Sequence, residues 1–223
     1  MSDRQSQGPT LAQLGTAGIA PRKKILGLTG NPGAGKSTAA QLMQEEGARL
    51  IDADAVGHQM LEPGSPAFDS LIEAFGRNIV DEAGKIDRKK LGSIVFQSPP
   101  ALERLNQLVH PPIQASIQQA IEAFRSSDEE GPLVIDAALI FEWGIVEPFD
   151  AVIVVAAPRD LRQERFETAR GGASAAFEKR EQAQLAQEEK IKRADAVIWN
   201  DQDIDALRKQ IQTLFDLSGP APG

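Results

Sequence analysis

The chain contains no cysteine. That removes disulfides, thiolate zinc sites and cysteine nucleophiles from consideration. Histidine is scarce as well. His58 and His110 are the 2 histidines in 223 residues, too few for a histidine-based metal site. No apolar run approaches the roughly 18 residues that a membrane span needs, so a membrane partner is not expected. Positive charge is in deficit, with 24 lysines and arginines against 32 acids and a net charge of -8. A chain of that sign offers nucleic acid no general basic field, although a local basic site for a small anion remains open.

What is present suits one large domain, or one domain with insertions. Hydrophobic residues make up 41%, ordinary for a folded chain of this length. Residues 1–22, "MSDRQSQGPTLAQLGTAGIAPR", are rich in Gly, Gln and Pro and lack the continuous apolar stretch of a signal peptide. They predict a disordered leader. "SGPAPG", residues 218–223, predicts a frayed tail.

Between these ends, short apolar runs alternate with helical patterns. "KKILGLTG", "ARLIDAD", "GPLVIDAALIF", "FDAVIVVAAP" and "ADAVIWN" read as strands buried on both sides. "KSTAAQLMQEEG" and "DIDALRKQIQTLF" read as helices. In "PPIQASIQQAIEAF" the residues Ile113, Ile117, Ile121 and Phe124 share one face, a core stripe. His110, just before Pro111-Pro112, reads as a helix-end histidine placed by the proline turn. Such alternation predicts an α/β fold, a five-stranded parallel sheet with helices on both faces. About 75 residues, 57 to 131, separate the second and third strands. They are mostly helical in pattern, which predicts a second lobe suited to holding substrate.

The stretch "GLTGNPGAGKST", residues 27–38, fits G-x-x-x-x-G-K-[ST] between a strand and a helix. Asn31, Pro32, Gly33, Ala34, Gly35, Lys36, Ser37 and Thr38 would form a phosphate cradle. Bare glycines let backbone N–H groups turn inward, and the following helix adds its free N–H groups and positive dipole end. Lys36 would reach the β and γ phosphates, and the Ser37 hydroxyl would ligate Mg²⁺. A nucleoside triphosphate is implied, but the reaction is not. A guanine-reading N-K-x-D after a strand is missing, which disfavours a switch GTPase and leaves a small-molecule kinase ahead.

"RDLRQERFETARGG" follows the fourth strand and carries Arg159, Arg162, Arg165 and Arg170. Residues 159–193 hold nine lysines and arginines against seven acids. That suits a lid closing over transferring phosphates. Most of these charges read as a solvated helical face with i, i+4 pairs; Arg165 and Arg170, ahead of Gly171-Gly172, are the candidates for chemistry. "IDADAVGHQ" ends the second strand with Asp52 and Asp54, at the carboxyl end of a parallel strand, where α/β sites form. Either acid could take a hydroxyl proton or hold Mg²⁺, and either could instead cap the helix beginning near Ala55.

Taken with "GKIDRKKLGSIVF", "LERLNQLVHPPI", "ALIFEWG" and "ADAVIWN", these motifs make the chain resemble the dephospho-coenzyme A kinases, from about Lys24 to Phe215. The resemblance implies the P-loop kinase fold with a helical substrate lobe and a helical lid. It divides the chain into a core (23–57, 110–158 and 194–217), a lobe (58–109) and a lid (159–193). It implies a cytoplasmic enzyme, monomeric or weakly oligomeric, that moves the γ-phosphate of ATP, with Mg²⁺, to the ribose 3′-hydroxyl of dephospho-CoA. Another nucleotide or nucleoside kinase is the alternative. Carried across by motif, Asp54 is the base, with Lys36, Arg165 and Arg170 as catalytic partners. Asp54, Arg88, His110, Leu139 and Glu142 meet the coenzyme substrate. The chain departs from the family pattern in three places. Ala138-Leu139-Ile140 stands where the family has P-L-L. The two lid arginines lie five apart rather than four, and "GGASAAF" lacks the usual acidic pattern.

Overall fold

Five short strands form the sheet of the computed structural model, which describes residues 23–95, 97–170 and 174–216. The expected leader, the expected tail and the Gly171-Gly172 bend lie outside them. The strands are β1 (Ile25–Thr29), β2 (Arg49–Asp52), β3 (Leu133–Asp136), β4 (Ala151–Ala156) and β5 (Ala196–Trp199). They make a parallel sheet in the order β2-β3-β1-β4-β5. Every residue of β1, β3 and β4 is buried, which is why these strands read as unbroken apolar sequence rather than as an alternating one. The helices are α1 (Lys36–Glu45), α2 (Ala53–Gln59), α3 (Phe68–Phe75), α4 (Arg88–Val95), α5 (Pro99–Ser126), α6 (Arg159–Arg170), α7 (Ser174–Gln182), α8 (Gln187–Arg193) and α9 (Ile204–Asp216).

The chain divides into two compact units, one holding the residues up to Ile51 and from Phe124 onward, the other Asp52–Ala123. In the first, β1 sits between β3 and β4, with Leu28 opposite Asp136 on one side and Ile153 on the other. The strand order therefore reverses at β1, and its carboxyl end is where a doubly wound sheet leaves a crevice for ligand. One sheet face, with Leu26, Leu28, Val134, Ile153, Val155 and Ile198, packs on Ala39 and Met43 of α1 and on Leu207, Ile211 and Leu214 of α9. Each such aliphatic side chain contributes about 1.5–3 kcal/mol on burial. The third strand stops at Asp136, short of the run expected to continue through Ala138-Leu139-Ile140. The Ala138 carbonyl is occupied instead by two side chains, Thr29 Oγ1 at 3.0 Å and Lys190 Nζ at 2.7 Å, and the chain turns.

In the second unit, Leu71, Ile79, Ile86, Leu91 and Val95 are buried. A tight turn joins Val80 to Ile86, closed by the Asp81 N–H on the Lys85 carbonyl at 2.8 Å. This unit takes in residues 52–57 and 110–123, expected from sequence within the core. The reason is α5, which runs 28 residues without a break and carries Pro111 and Pro112 inside it. His110 is therefore mid-helix, and the helix end expected there is corrected. Each proline removes a backbone donor at a cost of about 3 kcal/mol. Burial of Ile113, Ile117, Ile121 and Phe124 keeps the helix continuous beyond them.

Candidate functional site

The loop between β1 and α1 is shaped by its glycines. Gly33 and Gly35 have φ of 77° and 90°, the left-handed region that side chains resist. A Cβ on Gly33 would lie 2.0 Å from the Arg162 carbonyl oxygen, and one on Gly35 2.0 Å from Asn200 Nδ2. Glycine at these positions is a steric requirement. The loop carbonyls are tied back. Ala34 O accepts from Asn200 Nδ2 at 2.9 Å, Pro32 O from Arg162 Nη1 at 3.4 Å, and Asn31 O from the Ala34 N–H at 3.1 Å. The N–H groups at the helix start are left open. Gly35 is the N-cap of α1 and makes no side-chain cap bond. The Ala39 N–H reaches the Gly35 carbonyl at 3.0 Å, so Lys36, Ser37 and Thr38 precede the helical ladder. Carbonyls held away and amides facing out make a concave positive surface for phosphate. The Asn31 side chain is buried and donates to the Leu185 carbonyl at 3.0 Å, while its Oδ1 has no protein partner. That bond anchors the loop.

Lys36 forms an ion pair with Asp136, the last residue of β3. Asp136 was not singled out from sequence. The signal was available, an acid ending an apolar strand, the same rule that drew attention to Asp52. Asp136 and the exposed Ser37 at the head of α1 supply hard oxygen donors. They fit Mg²⁺, which takes one or two protein oxygens together with water and phosphate. No cluster of three or more His, Cys, Asp or Glu suited to a metal occurs among the described residues, as that mode of binding requires none.

Behind the loop lies a second cation. Lys190 of α8 is fully buried. Its ammonium donates to the Ala138 carbonyl at 2.7 Å and to Gln184 Oε1 at 3.1 Å, and pairs with Glu142 Oε1 at 3.1 Å. Burial pushes Lys190 below the ordinary lysine value, Glu142 pulls it back up, and the charge of Lys36 pushes it further down. Glu142 Oε1 also accepts the Leu185 N–H at 2.8 Å, while its Oε2 is buried without a protein partner. Glu142, expected to line the substrate cleft, pairs with Lys190 through Oε1. Leu139 is half-buried, and its carbonyl accepts the Trp143 N–H at 2.9 Å.

Helices α6 and α7 stack through Phe166 and Phe177, ring centres 5.6 Å apart. Arg162 is the arginine that touches the loop. Besides Pro32 it donates to the Ala157 carbonyl at 3.2 Å and to Glu181 Oε1 of α7 at 2.6 Å. Arg165 donates to the Asn200 carbonyl at 2.8 Å. The Arg170 side chain lies outside the described residues. Spacing alone does not reveal which helix face meets the loop, so the sequence does not distinguish Arg162 from its neighbours.

In the second unit the two candidate acids divide. Asp52 Oδ1 accepts the Asp54 N–H at 2.8 Å and the Ala55 N–H at 3.2 Å. Asp52 is the cap, and Asp54 stands exposed in the first turn of α2. Arg88 opens α4 and is exposed. That helix is capped by Asp87, whose Oδ1 accepts the N–H groups of Lys89 and Lys90 at 2.9 and 3.1 Å. His110 is half-buried. Burial holds it below its ordinary value, with Glu103 pulling weakly the other way.

A family model described as dephospho-CoA kinase matches residues 24–206. A dephospho-CoA kinase of Aquifex aeolicus is 37% identical over 193 residues, 86% of this chain and 96% of that protein. One from Carboxydothermus hydrogenoformans is 39% identical over 191 residues, 86% and 92% of the two chains. Among solved structures, a crystal structure of a Thermus thermophilus protein superposes with a TM-score of 0.75 at 30% identity, covering 89% of this chain and all 100% of that one. The dephospho-CoA kinase from Campylobacter jejuni superposes with a TM-score of 0.66 at 28% identity, covering 87% and 96%.

Proposed function

The chain belongs to the dephospho-CoA kinase family, and from that premise we propose how its residues divide the work. The reaction moves the γ-phosphoryl group of ATP to the ribose 3′-hydroxyl of dephospho-CoA, the last step of coenzyme A biosynthesis. The observation that carries this is the family match across residues 24–206, joined to a helix start left open for phosphate.

In the proposed division, the N–H groups of the 30–38 loop and the Lys36 ammonium bind the β and γ phosphates. Ser37 and Asp136 would hold Mg²⁺, which supplies charge neutralisation when bound. Asp54 orients the 3′-hydroxyl and takes its proton as the O–P bond forms, while the bond from the γ-phosphorus to the bridging oxygen breaks and ADP leaves. Arg165 neutralises charge spreading over the transferring group, and Arg170 assists it. Such preorganised charge supplies most of the rate in phosphoryl transfer. Arg88, His110 and Leu139 hold the coenzyme substrate. Helices α6, α7 and α8 serve as the lid, and the 52–123 unit as the substrate lobe.

The test is a panel of acceptors with ATP and Mg²⁺, read by mass. Dephospho-CoA should gain one phosphoryl group, while AMP, UMP and nucleosides react far more slowly. Equal turnover of AMP would sink the assignment.

A further inference from the structure

A fully buried lysine is rare, because removing an ammonium from water costs several kcal/mol unless partners replace the water. Lys190 has such partners, and they join four segments. Its ammonium holds the Ala138 carbonyl, two residues past Asp136, the partner of Lys36. Thr29, at the end of β1, donates to the same carbonyl. Gln184 accepts from Lys190 and brings in the stretch before α8. Glu142 takes the Lys190 charge and the Leu185 N–H together, and the Leu185 carbonyl in turn receives the side chain of Asn31. One cation thus sits at the node between the strand end bearing Asp136 and the start of the phosphate loop.

We propose that Lys190 is a positioning residue for phosphoryl transfer: paired with Glu142, it fixes Ala138 and Leu185, and through them Asp136 and Asn31. Lys190 bonds protein groups only and does not touch the reacting atoms. Its action is geometric. A misplacement of about 1 Å at the reacting groups is enough to cost about 10²-fold in rate. An apolar pair of similar size would fill the same space and hold the fold about as well, since replacing a buried ion pair by packed hydrophobic groups is often neutral. What it would lose is the directed grip on two carbonyl-bearing segments.

The inference rests on the kinase reading above, and the experiment separates the two. The double variant Lys190→Met with Glu142→Leu is compared with wild type for melting temperature, kcat and both KM values. The expected result is a melting temperature close to wild type, kcat lower by about 10²-fold, and an unchanged KM for dephospho-CoA. Wild-type kcat in the folded double variant overturns the inference. So does a loss confined to the KM for dephospho-CoA, which would make Glu142 a substrate contact. Should the double variant not fold, Lys190→Gln and Lys190→Arg are assayed well below their own melting points. Lower kcat in Lys190→Gln, partly restored in Lys190→Arg, supports the proposal, and wild-type kcat in both overturns it. A wild-type control that forms no coenzyme A strikes the kinase reading and this inference with it. Coenzyme A formed at equal kcat by wild type and double variant strikes this inference alone.

Discussion

Two helices of this protein begin just after strands of the same sheet, and they begin in opposite ways. Between β1 and α1 lie six residues, 30–35, and the cap position is Gly35, which has no side chain to offer. Between β2 and α2 lies no residue at all. Asp52 ends the strand, caps the helix and takes the N–H groups of Asp54 and Ala55. A helix N-terminus has about four orphan N–H groups that something must satisfy. At α2 the Asp52 carboxylate satisfies two of them, and the Asp54 carboxylate takes no part in the cap. At α1 the chain withholds a cap, and the site fits an anion from outside.

The largest effect should come from exchanging charge beside the closed start. Asp54→Asn should lower turnover by about 10²–10⁴-fold, the usual contribution of a general base, with little change in ATP affinity. Asp52→Asn should stay near wild type, because asparagine caps about as well as aspartate. Equal losses in the two variants would erase the distinction between them. At the open start, Lys36→Ala should lower turnover by about 10²–10³-fold. The melting temperature should fall modestly, since Asp136 loses its partner. Unimpaired turnover would show that the loop does not serve catalysis.

Gly33→Ala should act through shape. The left-handed backbone costs about 1–2 kcal/mol in any residue with a Cβ, and the Arg162 carbonyl at 2.0 Å leaves that Cβ no room. Melting temperature and turnover should fall together; a drop in neither would mean that the loop and α6 move apart freely. Arg162→Met should cost stability by about 1.5–3 kcal/mol, the range for hydrogen bonds to charged groups, because Pro32, Ala157 and Glu181 lose one donor together. Arg165→Met should lower turnover with a smaller stability loss. The reverse ranking by thermal melts would exchange the roles of the two arginines.

The smallest effect concerns His110. Burial holds it below 6.5 in the folded chain, so the unfolded chain takes up this proton first as pH falls. Stability is therefore full above about pH 6.5, declines as pH falls toward the folded value, and is flat below it. In His110→Gln the slope of unfolding free energy across about pH 7 to 5 should flatten. An unaltered slope would place the titration elsewhere.

Strands β1, β3, β4 and β5 were readable because they are buried and spell mostly aliphatic runs, whereas β2, Arg49–Asp52, is partly exposed and carries a charge at each end. The phosphate loop was readable because backbone geometry there admits glycine alone. Other parts were not. Asp52 and Asp54 are two aspartates two residues apart, and only the direction of the Asp52 carboxylate shows which of them caps α2. Arg162 and Arg165 lie on one helix, and only the stacking of α6 under the loop puts Arg162 on Pro32. The prolines at 111 and 112 signal a helix end locally, yet α5 continues because burial of its apolar stripe outweighs the lost donors.

By itself the sequence determined the presence of the five strands, their parallel sheet and the phosphate loop, for these depend on local backbone rules and on a repeated choice between apolar and polar side chains. Only the tertiary structure decided the partners of the charges. Lys36 meets Asp136 across one hundred residues, and Lys190 meets Glu142 across forty-eight. Charge pairing depends on distances of a few ångströms, and those distances are set by the packing of the sheet and helices rather than by any spacing along the chain.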